Sequence, residues 1–118
     1  GAVLQAKTTI LALGVKWRNI NIPSEEEFRN KGVTYCSHCD GPLFEEKNIA
    51  VIGGGNSGLE EVLDLTVITI HVTVLEFLPK LKADQVLQER ADKTDNLTIL
   101  KNVATKEILG QDHVTGLS

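Results

Sequence analysis

An α/β fold with a parallel sheet and a small antiparallel hairpin is predicted by three features of this 118-residue chain. First, Asn48–Ile52 is a short unbroken apolar run, the pattern of a parallel strand buried on both faces. Second, a glycine-rich turn follows directly, and apolar residues then recur at helical spacing (Leu59, Val62, Leu63, Thr66), with Glu60, Glu61 and Asp64 on the other side. Residues 72–76 return to a β-branched run, completing strand, turn, helix and strand. Third, residues 105–109 and 113–117 flank Gly110-Gln111-Asp112 as a hairpin would.

The remaining elements follow in order. Residues 7–13 (KTTILAL), closed by Gly14, read as a buried strand, and residues 16–19 as a loop. Ile22-Pro23-Ser24 with the acids that follow reads as a turn or helix start, and Asp40-Gly41-Pro42 as a turn. The helix after the glycines is placed to about Ile68. Propensity alone would give residues 67–70 to the next strand, but a phosphate-binding loop needs a helix behind it. Residues 81–93 carry helical spacing (Val86, Leu87, Ala91), and residues 97–100 form a third strand.

Composition narrows the function. Net charge is −4 and the pI about 5.3, which argues against nucleic acid or an anionic membrane as partner. No apolar run is long enough to span a bilayer, and no secretory signal pattern opens the chain. Aromatics are few, so an aliphatic core is expected. Both cysteines lie in one Cys36-Ser37-His38-Cys39 motif. In a reducing compartment such a pair reads as catalytic or metal-binding, so a cytoplasmic location is expected. The chain holds no methionine and begins and ends abruptly, as a piece of a longer protein would.

Gly53-Gly54-Gly55-Asn56-Ser57-Gly58 is a G-x-G-x-x-G, and its context is that of a Rossmann-like dinucleotide site. Gly53 permits the tight turn, Gly55 lets backbone approach a pyrophosphate, and Gly58 lets helix and strand lie close. The helix N-terminus offers free N–H groups to phosphate. Glu76 lies eighteen residues after Gly58, where a carboxylate would take the ribose hydroxyls. A carboxylate there repels a 2′-phosphate, and Phe77 and Leu78 bring no arginine, so NADH is expected over NADPH. The alternatives are a glycine-rich turn of no further use and a solvated acid at a strand end.

The C-x-x-C, fourteen residues before the glycines, has the spacing of a dithiol that opens and closes a disulfide. A first cysteine at a helix start gains thiolate character, and Asp40 beside Cys39 could pass a proton to or from a leaving thiolate. A zinc site, which needs more ligands than are at hand, and a pair of inert buried cysteines are the competing readings. His38 is expected on the surface, and Trp17 in loop packing.

The stretch from Gly32 to Phe44 (GVTYCSHCDGPLF), followed by Ile52 to Gly58 (IGGGNSG), resembles the thioredoxin-reductase-like flavoproteins. Within them it is most similar to the flavoprotein subunits of alkyl hydroperoxide reductases, through Glu76-Phe77 and residues 82–88 (KADQVLQ). The resemblance implies that FAD sits between nucleotide and dithiol in the parent protein. It implies that Cys39 faces the flavin, Cys36 exchanges with the acceptor, and Asp40 is the acid/base. It also implies a thioredoxin-like disulfide domain and a peroxiredoxin as partners, and often a homodimer.

Several features depart from the family. Its first glycine motif and its acidic Gly-Asp motif are absent, Ala12-Leu13-Gly14 replaces Ala-Thr-Gly, and Leu59-Glu60-Glu61-Val62 replaces an alanine-rich helix start. FAD is therefore not expected to be held by these residues. Residues 1–31 are expected to be the remnant of a flavin-domain strand and linker, and residues 32–118 an NADH-binding domain with an incomplete end. Thioredoxin reductase, or a dinucleotide-binding module without turnover, is the alternative function.

Overall fold

A computed structural model describes residues 1–14 and 16–118. A four-residue helix α1 (Ser37–Asp40) and a 3-10 turn (Gly41–Phe44) lead into β1 (Asn48–Ile52). Then come α2 (Asn56–Leu65), β2 (His71–Glu76), α3 (Gln85–Ala91) and β3 (Leu97–Lys101). β1, β2 and β3 form a parallel sheet in that order, with Val51 opposite Val74 and Val74 opposite Ile99. β4 (Ile108–Gly110) and β5 (Val114–Leu117) make the separate antiparallel pair that the sequence pattern predicts.

The core lies on one face of the sheet. Val62 and Leu65 of α2 bury against Val72 and Val74 of β2, with Ile49, Val51 and Ile99 packed around them. Leu59 continues the seam toward Ala83 and Ala91 beside α3. Removing such apolar surface from water stabilises by roughly 1.5–3 kcal/mol for each fully buried side chain of this size.

The opposite face is open, which corrects the expectation that β1 is buried on both sides. Asn48 and Ala50 are exposed, and Ile52 keeps 41% of its surface. Both sheet-packed helices lie on the other face, and among the described residues β1 is an edge strand paired with β2 alone.

Residues 7–13 do not form the predicted strand. Ile10 and Leu13 are 91% and 88% exposed, and the segment joins neither sheet. A strand exists only where a neighbour takes its N–H and C=O groups, and no strand among the described residues does so.

The helix after the glycines ends three residues earlier than expected. Beyond Leu65 the chain tightens, with Ile68 N–H on Leu65 O (3.1 Å), and the Asn96 side chain donates to Thr66 O at 2.9 Å. That amide takes up a carbonyl the helix would leave unpaired. Residues 67–70 are turn and not strand, so the assignment of the β-branched run away from the sheet holds. The expected helix over residues 81–93 shortens to Gln85–Ala91 because residues 82 and 83 donate their N–H groups elsewhere, to Gly54 O.

The lead-in to the dithiol is anchored on the hairpin. Phe28 is buried, and its ring lies 2.8 Å from where a Cβ on Gly110 would be. Ile108 N–H donates to Pro23 O at 3.3 Å and Val114 N–H to Lys31 O at 3.0 Å.

Candidate functional site

The glycine loop sits at the C-terminal edge of the parallel sheet, between β1 and α2. Gly53 N–H still donates across to Leu75 O (2.9 Å), and the chain then turns with Gly53 at φ +110, a conformation that glycine adopts freely. A Cβ on Gly58 would lie 2.2 Å from Gly53 O, so only glycine lets α2 start this close to the strand. A Cβ on Gly55 would meet nothing within 4 Å, so this stretch of backbone faces open space. No side chain caps Gly55. The first-turn N–H groups of α2, at Asn56, Ser57 and Gly58, have no intrahelical partner. This is the donor set a pyrophosphate needs, and the residues present fit one.

Glu76, the last residue of β2, is brought to this loop and is only 8% exposed. Its Oε1 accepts from Leu78 N–H at 2.8 Å and its Oε2 from Gly54 N–H at 2.7 Å. It is therefore not a solvated strand-end acid. The Leu78 N–H above all, helped by the Gly54 N–H and by Lys82, holds its carboxyl below the usual carboxylate range despite burial. Each oxygen retains a lone pair for one further donor.

Cys36 and Cys39 are joined in a disulfide. The zinc alternative drew on these same two sulfurs. Cys36 is the N-cap of α1, and its Sγ accepts from Cys39 N–H at 3.2 Å. Cys39 is exposed and Cys36 half-buried. The Thr34 hydroxyl donates to Asp40 Oδ2 and accepts from Cys36 N–H at 3.4 Å, tying the carboxylate to the start of the motif. Ser37, between the cysteines, is buried with no partner for its Oγ among the described residues. His38 is exposed, 3.8 Å from Asp64, as expected of a surface residue. Trp17 is 57% exposed. With Arg29, Tyr35, Cys36, Cys39 and Asp40 it lines a cavity of about 200 Å³.

Glu25 was not singled out by sequence reasoning. It is buried beneath the dithiol lead-in and accepts from Tyr35 Oη (2.8 Å), Ile20 N–H (3.1 Å) and Asn21 N–H (2.7 Å). Burial pushes its carboxyl up, but Tyr35 and the two N–H groups outweigh it and hold it below the usual range. Three consecutive acids, Glu25-Glu26-Glu27, look alike in sequence, and only packing selects the first.

The two candidate centres occupy opposite ends of α2. The glycine loop abuts its N-terminus, whereas α1 lies against its C-terminal half. His38 reaches Asp64, and Gly41 is 3.5 Å, measured from an added Cβ, from Leu65. Along the helix this is roughly 13 Å at 1.5 Å per residue. The structure thus groups Cys36, Cys39 and Asp40 on one side, and Gly53, Gly54, Gly55, Asn56, Ser57, Gly58 and Glu76 on the other.

Comparison with known proteins gives the family and the fold likeness. The sequence profile described as pyridine nucleotide-disulphide oxidoreductase matches residues 1–117. The chain is 61% identical over 118 residues to a protein named NADH dehydrogenase from Bacillus subtilis (strain 168), covering 100% of this chain and 23% of that protein. It is 57% identical over 117 residues to an alkyl hydroperoxide reductase subunit from Staphylococcus aureus (strain NCTC 8325 / PS 47), covering 99% and 23%. The chain thus spans about a quarter of the length of these relatives. Among solved structures it is similar to thioredoxin reductase from Lactococcus lactis, with a TM-score of 0.86, 38% identity, and coverage of 88% of this chain and 35% of that one. The α/β, Rossmann-like fold with its parallel sheet and small hairpin is shared.

Proposed function

Because the chain belongs to the pyridine nucleotide-disulphide oxidoreductase family, we propose that it is the nucleotide- and dithiol-bearing part of an NADH-dependent flavoprotein disulfide reductase. The observation that carries this reading is the placement of a phosphate-ready glycine loop with Glu76 at one end of α2 and a disulfide at the other. A hydride donor must come within van der Waals contact of its acceptor, and two centres at opposite ends of a helix suit a two-electron relay between them. Bound FAD would supply that relay in the parent protein. Residues 1–31 lead in from the flavin domain, and residues 32–118 form the NADH domain, with Phe28 fixing the lead-in to it.

On this reading Gly53, Gly54, Gly55, Asn56, Ser57 and Gly58 receive the pyrophosphate, largely through backbone N–H groups. Glu76 accepts from the ribose hydroxyls through its free lone pairs and excludes a 2′-phosphate by charge. Cys39, the more exposed cysteine, faces the relay. Cys36 exchanges with the acceptor disulfide. Two electrons open the Cys36–Cys39 bond, and Asp40, held by Thr34, delivers a proton to a departing thiolate.

In keeping with the likeness to that alkyl hydroperoxide reductase subunit, we take a thioredoxin-like disulfide domain and a peroxiredoxin as downstream acceptors, and the parent as a cytoplasmic homodimer. The 118 residues alone would not complete a turnover. Thioredoxin reductase is the second reading, favoured by the fold likeness. The acid at position 76, in place of arginines suited to a 2′-phosphate, argues against it.

Calorimetric titration with NADH and, separately, NADPH tests the assignment. Saturable binding with NADH preferred supports it. Binding of neither nucleotide to the folded protein overturns the nucleotide reading, and a preference for NADPH overturns the role of Glu76.

A further inference from the structure

Residues 81–84 cross directly over the glycine loop. Lys82 and Ala83 both donate their N–H groups to Gly54 O, at 3.0 and 3.2 Å. Leu81 Cδ2 occupies the space a Cβ on Gly54 would need, 2.3 Å from it. Beyond them Asp84 and Asn56 exchange two hydrogen bonds. Asn56 Nδ2 donates to Asp84 Oδ2 at 2.9 Å, and Asp84 N–H donates to Asn56 Oδ1 at 2.7 Å. Asn56 is the first residue of α2 and Asp84 the N-cap of α3, so the pair joins the starts of two helices 28 residues apart.

We propose that Asn56 and Asp84 are a positioning pair that holds the glycine loop in its phosphate-receiving shape, with Asn56 meeting the nucleotide through its backbone N–H alone. The inference rests on the nucleotide reading above. The side-chain carbonyl of Asn56 and one of its two amide hydrogens are already engaged with Asp84. A carboxylate near a pyrophosphate site is electrostatically unfavourable in itself. Its presence is accounted for by the amide it orients, which stands between it and the loop. Without the pair, α2 could shift against residues 81–84 and splay the N–H groups that converge on phosphate.

The test is NADH titration by calorimetry on the protein carrying this chain, in three variants. Asp84→Asn keeps both hydrogen bonds and removes the charge, and should bind NADH as tightly as the parent or tighter. Asp84→Ala loses one bond and Asn56→Ala loses both, and each should weaken NADH by about tenfold or more. Their affinity for adenosine, which has no phosphate, should stay unchanged. Equal binding by all variants, or equal loss in Asp84→Asn and Asp84→Ala, overturns the pair while leaving the nucleotide site standing. Parallel loss of adenosine binding assigns the residues to general folding and also overturns it. A parent protein that binds no NADH removes the nucleotide reading and the pair together.

Discussion

The phenol of Tyr35 donates to the buried carboxylate of Glu25 at 2.8 Å, one residue before the first cysteine of the disulfide. The same carboxylate takes the N–H groups of Ile20 and Asn21, so one acid fastens the incoming chain to the redox motif. Tyr35→Phe leaves a buried carboxylate short of one donor, and the loss should be about 1–3 kcal/mol. Urea denaturation of the two proteins measures it, and an unchanged midpoint would show the bond to be dispensable.

The same contact sets an alkaline limit. Burial first, and Glu25 second, push the Tyr35 phenol from 10.0 up to about 12. A group whose pKa rises on folding contributes stability that is present below the unfolded value and lost as pH climbs through the folded one. Stability should therefore decline between pH 10.0 and about 12, and Tyr35→Phe should flatten that decline. Thermal melting across the range provides the readout.

Glu76 sets a limit on the acid side. Its folded carboxyl lies below the ordinary 4.5, so its contribution is present above that value and lost as pH falls beneath it. Glu76→Gln should lose less stability on acidification than the parent. It should also weaken NADH binding, since an amide group replaces one acceptor oxygen. Glu76→Arg should shift preference toward NADPH, read as the ratio of the two dissociation constants. An unchanged ratio would remove Glu76 from the ribose site.

Two glycines separate rigid from yielding contacts. An alanine at position 58 would press its Cβ on the Gly53 carbonyl at 2.2 Å, against backbone that cannot swing aside. At position 54 the obstacle is the tip of the Leu81 side chain at 2.3 Å, with Glu76 Oε2 at 3.0 Å. Gly54→Ala should be substantially rescued by Leu81→Ala in a double-mutant cycle. No single side-chain truncation should rescue Gly58→Ala. Failure of the Leu81 rescue would mean that Glu76, and not Leu81, sets the limit at position 54.

Ser37 tests the disulfide's surroundings. Its Oγ is buried without a partner among the described residues, and such a group lowers stability by roughly 1–3 kcal/mol. In the oxidised protein Ser37→Ala should raise the denaturation midpoint. A fall would reveal a partner for the hydroxyl.

The β1–α2–β2 unit and the hairpin are legible in the sequence because their signals are local: apolar runs, helical spacing and glycines within a few residues of one another. The glycine loop and Glu76 are found together for the same reason, since the strand and helix lengths between them are set by short-range pattern. Residues 7–13 mislead because a β-branched apolar run states a propensity, whereas a strand requires a neighbour. Lys82 and Ala83 leave the helix pattern because their N–H groups go to the Gly54 carbonyl, some 28 residues away, which no local pattern shows. Glu25 is hidden among identical neighbours, and the Thr34–Asp40 link depends on a loop closing on itself.

The position of α2 has a consequence for leakage. With the glycine loop at one tip and the disulfide near the other, the helix and the valines beneath it form a dry spacer. On the proposed reading, traffic must pass through whatever carrier visits both ports. Idle nucleotide on that reading leaves the disulfide intact until the carrier arrives.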